Sequence, residues 1–170
     1  DRTTPTPFQL QQLFIEMKNN GVTDAVLEVS SHALAQERLG TARFCGAVFT
    51  NLTRDHLDYH GDFEQYYQCK KRLFSQLLDV DCPMVVNMDD PWGQRLASEV
   101  TGRKQLTYSL HKHPSANIQA DNLFQDENQT TFDLHFPDCT WHLHSPLTGF
   151  FNICNLSSAA CLAYGLGIAE

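Results

Sequence analysis

Two histidines and two aspartates sit within one short block, Asp55-His56-Leu57-Asp58-Tyr59-His60. Imidazole and carboxylate groups packed this densely can ligate a divalent cation, carry a proton or engage a phosphate. The block follows an apolar, β-branched run, Ala47-Val48-Phe49-Thr50, and precedes an amphipathic stretch that begins at Asp62. Strand, polar loop and helix in that order put the block at the carboxyl end of a strand, where open α/β sheets bind ligands. His56, Asp58 and His60 would share one face on a strand, whereas on a helix only the two histidines would.

Other segments offer matching chemistry. Glu28 ends an apolar run, 23–29, that reads as a buried parallel strand, so Glu28 and His56 could face one crevice. Ser30-Ser31-His32 with Gln36 and Arg38 suits a carboxylate or pyrophosphate, because a guanidinium fork and an amide follow a polar strand end. No G-x-S-x-G surrounds these serines, which argues against a nucleophilic serine. Lys70 lies beside Lys71 and Arg72. Either all three are solvated, or one lysine turns inward, loses charge by burial and becomes able to add carbon dioxide as a carbamate. Thr3 and Thr4 could cap a helix or bind a ligand. Asn152 and Asn155 could cap the last helix or hydrogen-bond a flat heterocycle.

The elements that must hold these residues follow from periodicity. Phe8, Leu10, Leu13, Phe14 and Met17 have near-helical spacing over 8–20, with Gly21 to end the helix. Strands are expected at 23–29, 44–50 and 83–87, and helices at 33–39, 62–78 and from Pro91. That alternation predicts an α/β fold, a mostly parallel sheet flanked by helices. Past residue 104 the pattern changes to short strands at 104–109, 116–124, 130–136 and 139–144. They read as a small antiparallel sheet (104–148) appended to the α/β core (1–103). A small-residue helix from Asn152 to Leu166, within 149–170, returns to the core.

Bulk properties narrow the partners. With 42% hydrophobic and 19% charged residues the chain can bury a core. A net charge of −8 excludes broad nucleic-acid binding through a basic face. The six cysteines include no C-x-x-C pair, so reduced thiols of a cytoplasmic protein are expected. No apolar run approaches the roughly 20 residues of a membrane span, and Asp-Arg-Thr-Thr-Pro does not read as a signal peptide.

Taken in order, Thr3-Thr4-Pro5, Glu28-Val29-Ser30-Ser31-His32, Gln36, Arg38, the run Ala47 to Gly61, Lys70, Asn87-Met88-Asp89-Asp90 and Gly149 to Asn155 resemble the Mur ligases. The E-V-S-S-H and T-R-D-H-L-D-Y-H-G blocks are those of the branch that adds the third residue to UDP-N-acetylmuramoyl-L-alanyl-D-glutamate. The resemblance implies a two-step reaction of peptidoglycan synthesis. ATP phosphorylates the D-glutamyl carboxylate, and the amine of an incoming amino acid, diaminopimelate or lysine, displaces phosphate from the acyl phosphate. By the same resemblance Glu28, His56 and carbamylated Lys70 serve magnesium and catalysis. Thr3, Thr4, Ser30, Gln36 and Arg38 would bind the UDP-muramoyl-dipeptide, and Asn152 and Asn155 the adenine of ATP.

Two departures stand out. Arg2 replaces the asparagine usual before Thr-Thr, and the chain contains no G-x-x-G-K-T phosphate loop. The resemblance therefore implies a central catalytic domain whose N- and C-terminal partner domains lie outside it, inactive by itself. Two other readings predict different behaviour. A metal-dependent hydrolase would use His56, Asp58 and His60 around a water, and a non-catalytic nucleotide-binding domain would keep the fold alone.

Overall fold

A computed structural model describes residues 3–55 and 57–168. The chain divides into two compact units, residues 1–43 with 54–77 and residues 44–53 with 78–170.

The first unit is helical. Helix α1 (Pro7–Asn19) starts where Thr6 and Gln9 form a capping pair, with Pro7 in the first turn. It ends at Gly21, whose φ of 78° suits a left-handed cap that a side chain would resist. Leu10 is the one residue α1 buries, and Phe8 and Ile15 stay exposed. Helix α2 (Ser31–Ala35) is a short turn capped by the Ser30 hydroxyl. After α3 (Leu57–His60), Gly61 takes φ 82° and lets Asp62 cap α4 (Phe63–Arg72) through the Gln65 amide. A π-helical turn, Leu73–Leu77, continues α4.

The expected strand at 23–29 does not form. No ladder joins these residues, and Val26 is fully exposed. A β-branched run becomes a strand only where a neighbour accepts its backbone hydrogen bonds. Among the described residues this run has no such neighbour.

The second unit is built on one six-stranded sheet in sequential order. It comprises β1 (Ala47–Phe49), β2 (Met84–Asn87), β3 (Gln105–Ser109), β4 (Ile118–Gln125), β5 (Thr130–His135) and β6 (Thr140–Ser145). Strands β1 to β4 pair in parallel and β4 to β6 antiparallel. Helix α5 (Pro91–Glu99) joins β2 to β3, and α6 (Phe150–Gly165) packs on the parallel strands. The segment expected to open the antiparallel region, 104–109, is instead the second strand of a β2-α5-β3 unit and pairs parallel to β2.

β3 and β4 overlap at two residue pairs, Tyr108–Ile118 and Ser109–Gln119. The antiparallel strands therefore extend from the end of the parallel sheet and share its backbone ladder. Burial alternates along β5, and Phe132 and Leu134 join Val85, Tyr108, Ile118 and Ile153 in one core. Inside it the Tyr108 hydroxyl is satisfied by Ser158 at 2.8 Å.

Candidate active site

Of the chemistry-bearing residues named above, the first unit holds Thr4, Glu28, Ser30, Gln36, Arg38, His60 and Lys70, on or beside α2, α3 and α4. Lys70, in the last turn of α4, has its Nζ 5.5 Å from the centroid of the Tyr66 ring, one turn earlier on the same helix. No hydrogen-bond or ion-pair acceptor meets that amine among the described residues. Burial lowers the Lys70 pKa below the ordinary lysine value, and the Glu28 and Asp55 carboxylates oppose that effect in part. A half-buried amine with two carboxylates within electrostatic reach is the most unusual ionisable group of this unit.

Tyr66 is itself buried, and both burial and Asp55 push its phenol pKa up, so it stays protonated. His60 stacks on it at 5.0 Å and 11°, and its Nε2 lies 2.8 Å from the Ser31 hydroxyl. His32 and Tyr59 make a tilted contact with one another at 4.1 Å, and both also approach the His60 ring, at 5.6 and 4.9 Å. His60 is thus buried and engaged, which removes Nε2 as an open metal ligand and weighs against the hydrolase reading built on His56, Asp58 and His60. His56 lies outside the described residues.

The expected substrate residues Thr4, Ser30, Gln36 and Arg38 form one network. The Thr4 hydroxyl donates to the Glu28 carbonyl at 2.9 Å and accepts from the Ser30 amide at 3.1 Å. That pin sets the position of Glu28, which is exposed, with no β-ladder to fix it. Arg38 is buried, 8% exposed, yet its guanidinium meets no carboxylate among the described residues. It donates to Gln36 Oε1 at 2.9 and 2.5 Å and to the Thr4 carbonyl at 3.2 Å. Gln36 in turn donates to the Tyr59 hydroxyl at 3.1 Å. A buried cation whose partners among the described residues are neutral oxygens is suited to an anionic ligand. Thr3 is exposed.

No three His, Cys, Asp or Glu side chains stand within metal-holding reach among the described residues. Magnesium does not require such a cage, since one or two carboxylates with waters and substrate phosphates suffice. Glu28 and Asp55, both hard oxygen donors near Lys70, fit that ion and would fit a soft transition metal poorly.

In the second unit, the Asn87 amide donates to the Thr50 carbonyl at 2.9 Å. Asp90 caps α5 through the Trp92 and Gly93 amides and also accepts from the Leu52 amide at 3.3 Å. These contacts fix the chain as it leaves β1.

Comparison with known proteins decides the family. The model of the Mur ligase middle domain matches residues 1–163. The chain belongs to the Mur ligase middle-domain family.

Among curated relatives, the UDP-N-acetylmuramoyl-L-alanyl-D-glutamate–2,6-diaminopimelate ligase of Parasynechococcus marenigrum is 46% identical, covering 98% of this chain and 34% of the relative. The ligase of the same name from Geobacter metallireducens is 40% identical over 98% of this chain and 33% of its own length. A solved structure of a ligase of that name superposes with a TM-score of 0.88 at 35% identity, covering 98% of this chain and 34% of that one. MurF from Thermotoga maritima in complex with ADP, at 17% identity and a TM-score of 0.64, shares the fold over 83% of this chain and 31% of its own. The chain spans about a third of the length of the curated relatives it matches.

Within the Mur ligase middle domain, Asn152 and Asn155 occupy the first two turns of α6. The Asn152 side-chain amide donates to the Thr148 carbonyl at 2.7 Å, which leaves α6 without a side-chain cap, and Asn155 is exposed with no bonded partner among the described residues. Sequence reasoning missed two residues. Tyr66 read as one more aromatic on the buried face of a helix, and Ser31 as part of a polar strand end. The i,i+4 spacing of Tyr66 and Lys70 was the available signal.

Proposed function

We propose that this chain is the central catalytic part of an ATP-dependent ligase that adds an amino acid to UDP-N-acetylmuramoyl-L-alanyl-D-glutamate, a step of peptidoglycan synthesis. The observation that carries the reading is Lys70. Its amine is half-buried, has no hydrogen-bond acceptor among the described residues and lies near two carboxylates. A lysine of that kind is readily neutral, and a neutral amine can add carbon dioxide to give an anionic carbamate.

In this reading Glu28, His56 and the Lys70 carbamate would hold magnesium, which when bound would supply neutralising charge to the phosphate oxygens. The buried Arg38 fork and Gln36, with Ser30 and Thr3, take the anionic groups of the UDP-muramoyl-dipeptide. Thr4 keeps that wall in place through the Ser30 amide and Glu28 carbonyl. Asn155, with Asn152 behind it, lies against the adenine of ATP. The γ-phosphoryl group passes to the glutamyl carboxylate with release of ADP. The incoming amine then attacks the acyl carbon, and phosphate leaves with the C–O bond. Relatives at 40–46% identity are named as 2,6-diaminopimelate ligases, which makes diaminopimelate the proposed amino acid. Six free cysteines accord with a reducing, cytoplasmic setting.

The test uses the full-length protein that carries this chain, assayed for ATP-dependent joining of labelled diaminopimelate. Lys70→Ala is expected to abolish ligation while the protein stays folded. Ligation by Lys70→Ala at the parent rate would overturn the assignment.

A further inference from the structure

The arrangement beneath Lys70 goes beyond a helix packed on a loop. Four groups from three elements form a continuous column: the Ser31 hydroxyl, the His60 imidazole, the Tyr66 ring and the Lys70 amine. Ser31 Oγ and His60 Nε2 are 2.8 Å apart, and both residues are at least 95% buried. The His60 ring then lies nearly parallel to Tyr66, 5.0 Å away at 11°. Lys70 Nζ lies 5.5 Å from the Tyr66 ring centroid, within the range of a cation–π contact.

A buried imidazole on a buried hydroxyl is a costly way to fill space, because both groups must give up water to be placed there. An apolar side chain of similar size would fill the same volume more cheaply. What the polar pair adds is orientation: a hydrogen bond fixes the imidazole plane, and the parallel stack passes that plane on to Tyr66. The i,i+4 relation on α4 then puts the ring face under the Lys70 side chain.

We propose that Ser31, His60 and Tyr66 are positioning residues that fix where the Lys70 amine is presented. The inference rests on the reading of Lys70 as the working amine, and it names the residues that hold it. Tyr66 acts through its ring face, so the phenol hydroxyl is dispensable, and His60 acts through Tyr66 without touching substrate.

The test is a proton NMR measurement on the 170-residue chain. A methylene chain lying over a tyrosine ring is shifted upfield, so the Lys70 δ and ε protons should lie upfield of those of Lys71. Tyr66→Leu should return them to the Lys71 position and Tyr66→Phe should keep them shifted. His60→Ala should lose most of the shift although it leaves Tyr66 intact. Should His60→Ala fail to fold, Ser31→Ala removes only the anchoring hydroxyl and should weaken the shift. Unshifted Lys70 protons in the parent chain would overturn the proposal, as would a full shift in His60→Ala or Ser31→Ala.

Equilibration with ¹³C-bicarbonate separates this inference from the reading beneath it. A missing carbamate resonance with the ring shift intact would sink the carbamate assignment and leave the positioning standing. In the full-length protein, Tyr66→Leu should lower kcat roughly 10²-fold, the scale of an ångström-sized misplacement, with KM unchanged. Tyr66→Phe should restore most of that loss.

Discussion

Replacing Arg38 by methionine separates a binding role from a structural one. The Arg38 side chain is buried, and among the described residues its guanidinium bonds Gln36 Oε1 and the Thr4 carbonyl and no acid. Methionine has a similar length, fills the channel of the aliphatic stem and carries no charge. Removing the head leaves the carbonyl of buried Thr4 without its donor, at a cost of about 1–3 kcal/mol. The exposed Gln36 amide can turn to water, so its loss is small. Against this stands the burial of a cation without a counter-charge, an effective penalty of several kcal/mol that methionine removes. The two nearly cancel, and Arg38→Met should change stability by less than about 2 kcal/mol. Breaking a buried ion pair costs about 3–5 kcal/mol.

The assay is urea unfolding of the chain, with the midpoint compared at constant m-value, alongside calorimetric binding of the UDP-muramoyl-dipeptide to the full-length protein. Unfolding should be nearly unchanged and ligand binding lost. A destabilisation above about 3 kcal/mol with ligand affinity retained would refute the reasoning, because Arg38 would then be a structural ion whose acid partner has gone unrecognised.

Three further outcomes are expected. Burial in the core pushes the Cys161 thiol up to about 12 from an ordinary value of 9.0. Below the unfolded value both states hold the proton, and between 9.0 and about 12 only the folded state does. Stability should therefore fall as pH rises through that window, and Cys161→Ala should flatten the slope in unfolding curves taken at successive pH values. A Cβ at Gly93 would stand 2.0 Å from the Asn87 carbonyl oxygen, which is backbone and cannot swing aside. Gly93→Ala should cost at least about 1–3 kcal/mol in thermal or urea unfolding, and a neutral effect would refute that packing argument. The purified 170-residue chain, given ATP, UDP-muramoyl-dipeptide and diaminopimelate, should release no phosphate; turnover by it would place all the required machinery within these residues.

Much of this fold is written in local signals. Helices begin at Asp62 and at Asp90-Pro91 as expected, through hydrogen bonds that span three residues or fewer, whereas α1 is capped by Thr6 with Gln9 and not by Thr3 or Thr4. The failures share a cause, since each depended on a partner far along the chain. Residues 23–29 carry the composition of a strand, but a strand is a relation between two segments, and a β-branched run without a ladder is only an exposed chain. Residues 104–109 carry the same composition whether they pair parallel or antiparallel. What fixes the parallel choice is that α5 intervenes between them and β2.

The site divides along the same line. Glu28 and His56 stood out as ionisable residues following apolar runs, Arg38 as a cation after a polar strand end and Lys70 through the family resemblance, whereas Tyr66 and Ser31 looked like core aromatic and loop serine. Nothing local tells a tyrosine that fills space from one that carries an amine on its face. The difference lies in His60, six residues earlier, and in Ser31, twenty-nine residues before that. That also explains why Lys70, among three consecutive cations, is the one set apart. Arg72 is drawn to the Leu34 carbonyl at 3.0 Å and the Glu37 carboxylate at 3.2 Å, while Lys70 lies over a ring that another element holds still. Helical geometry gives the three cations different directions, and under the positioning proposal the column of Ser31, His60 and Tyr66 fixes the direction that Lys70 takes.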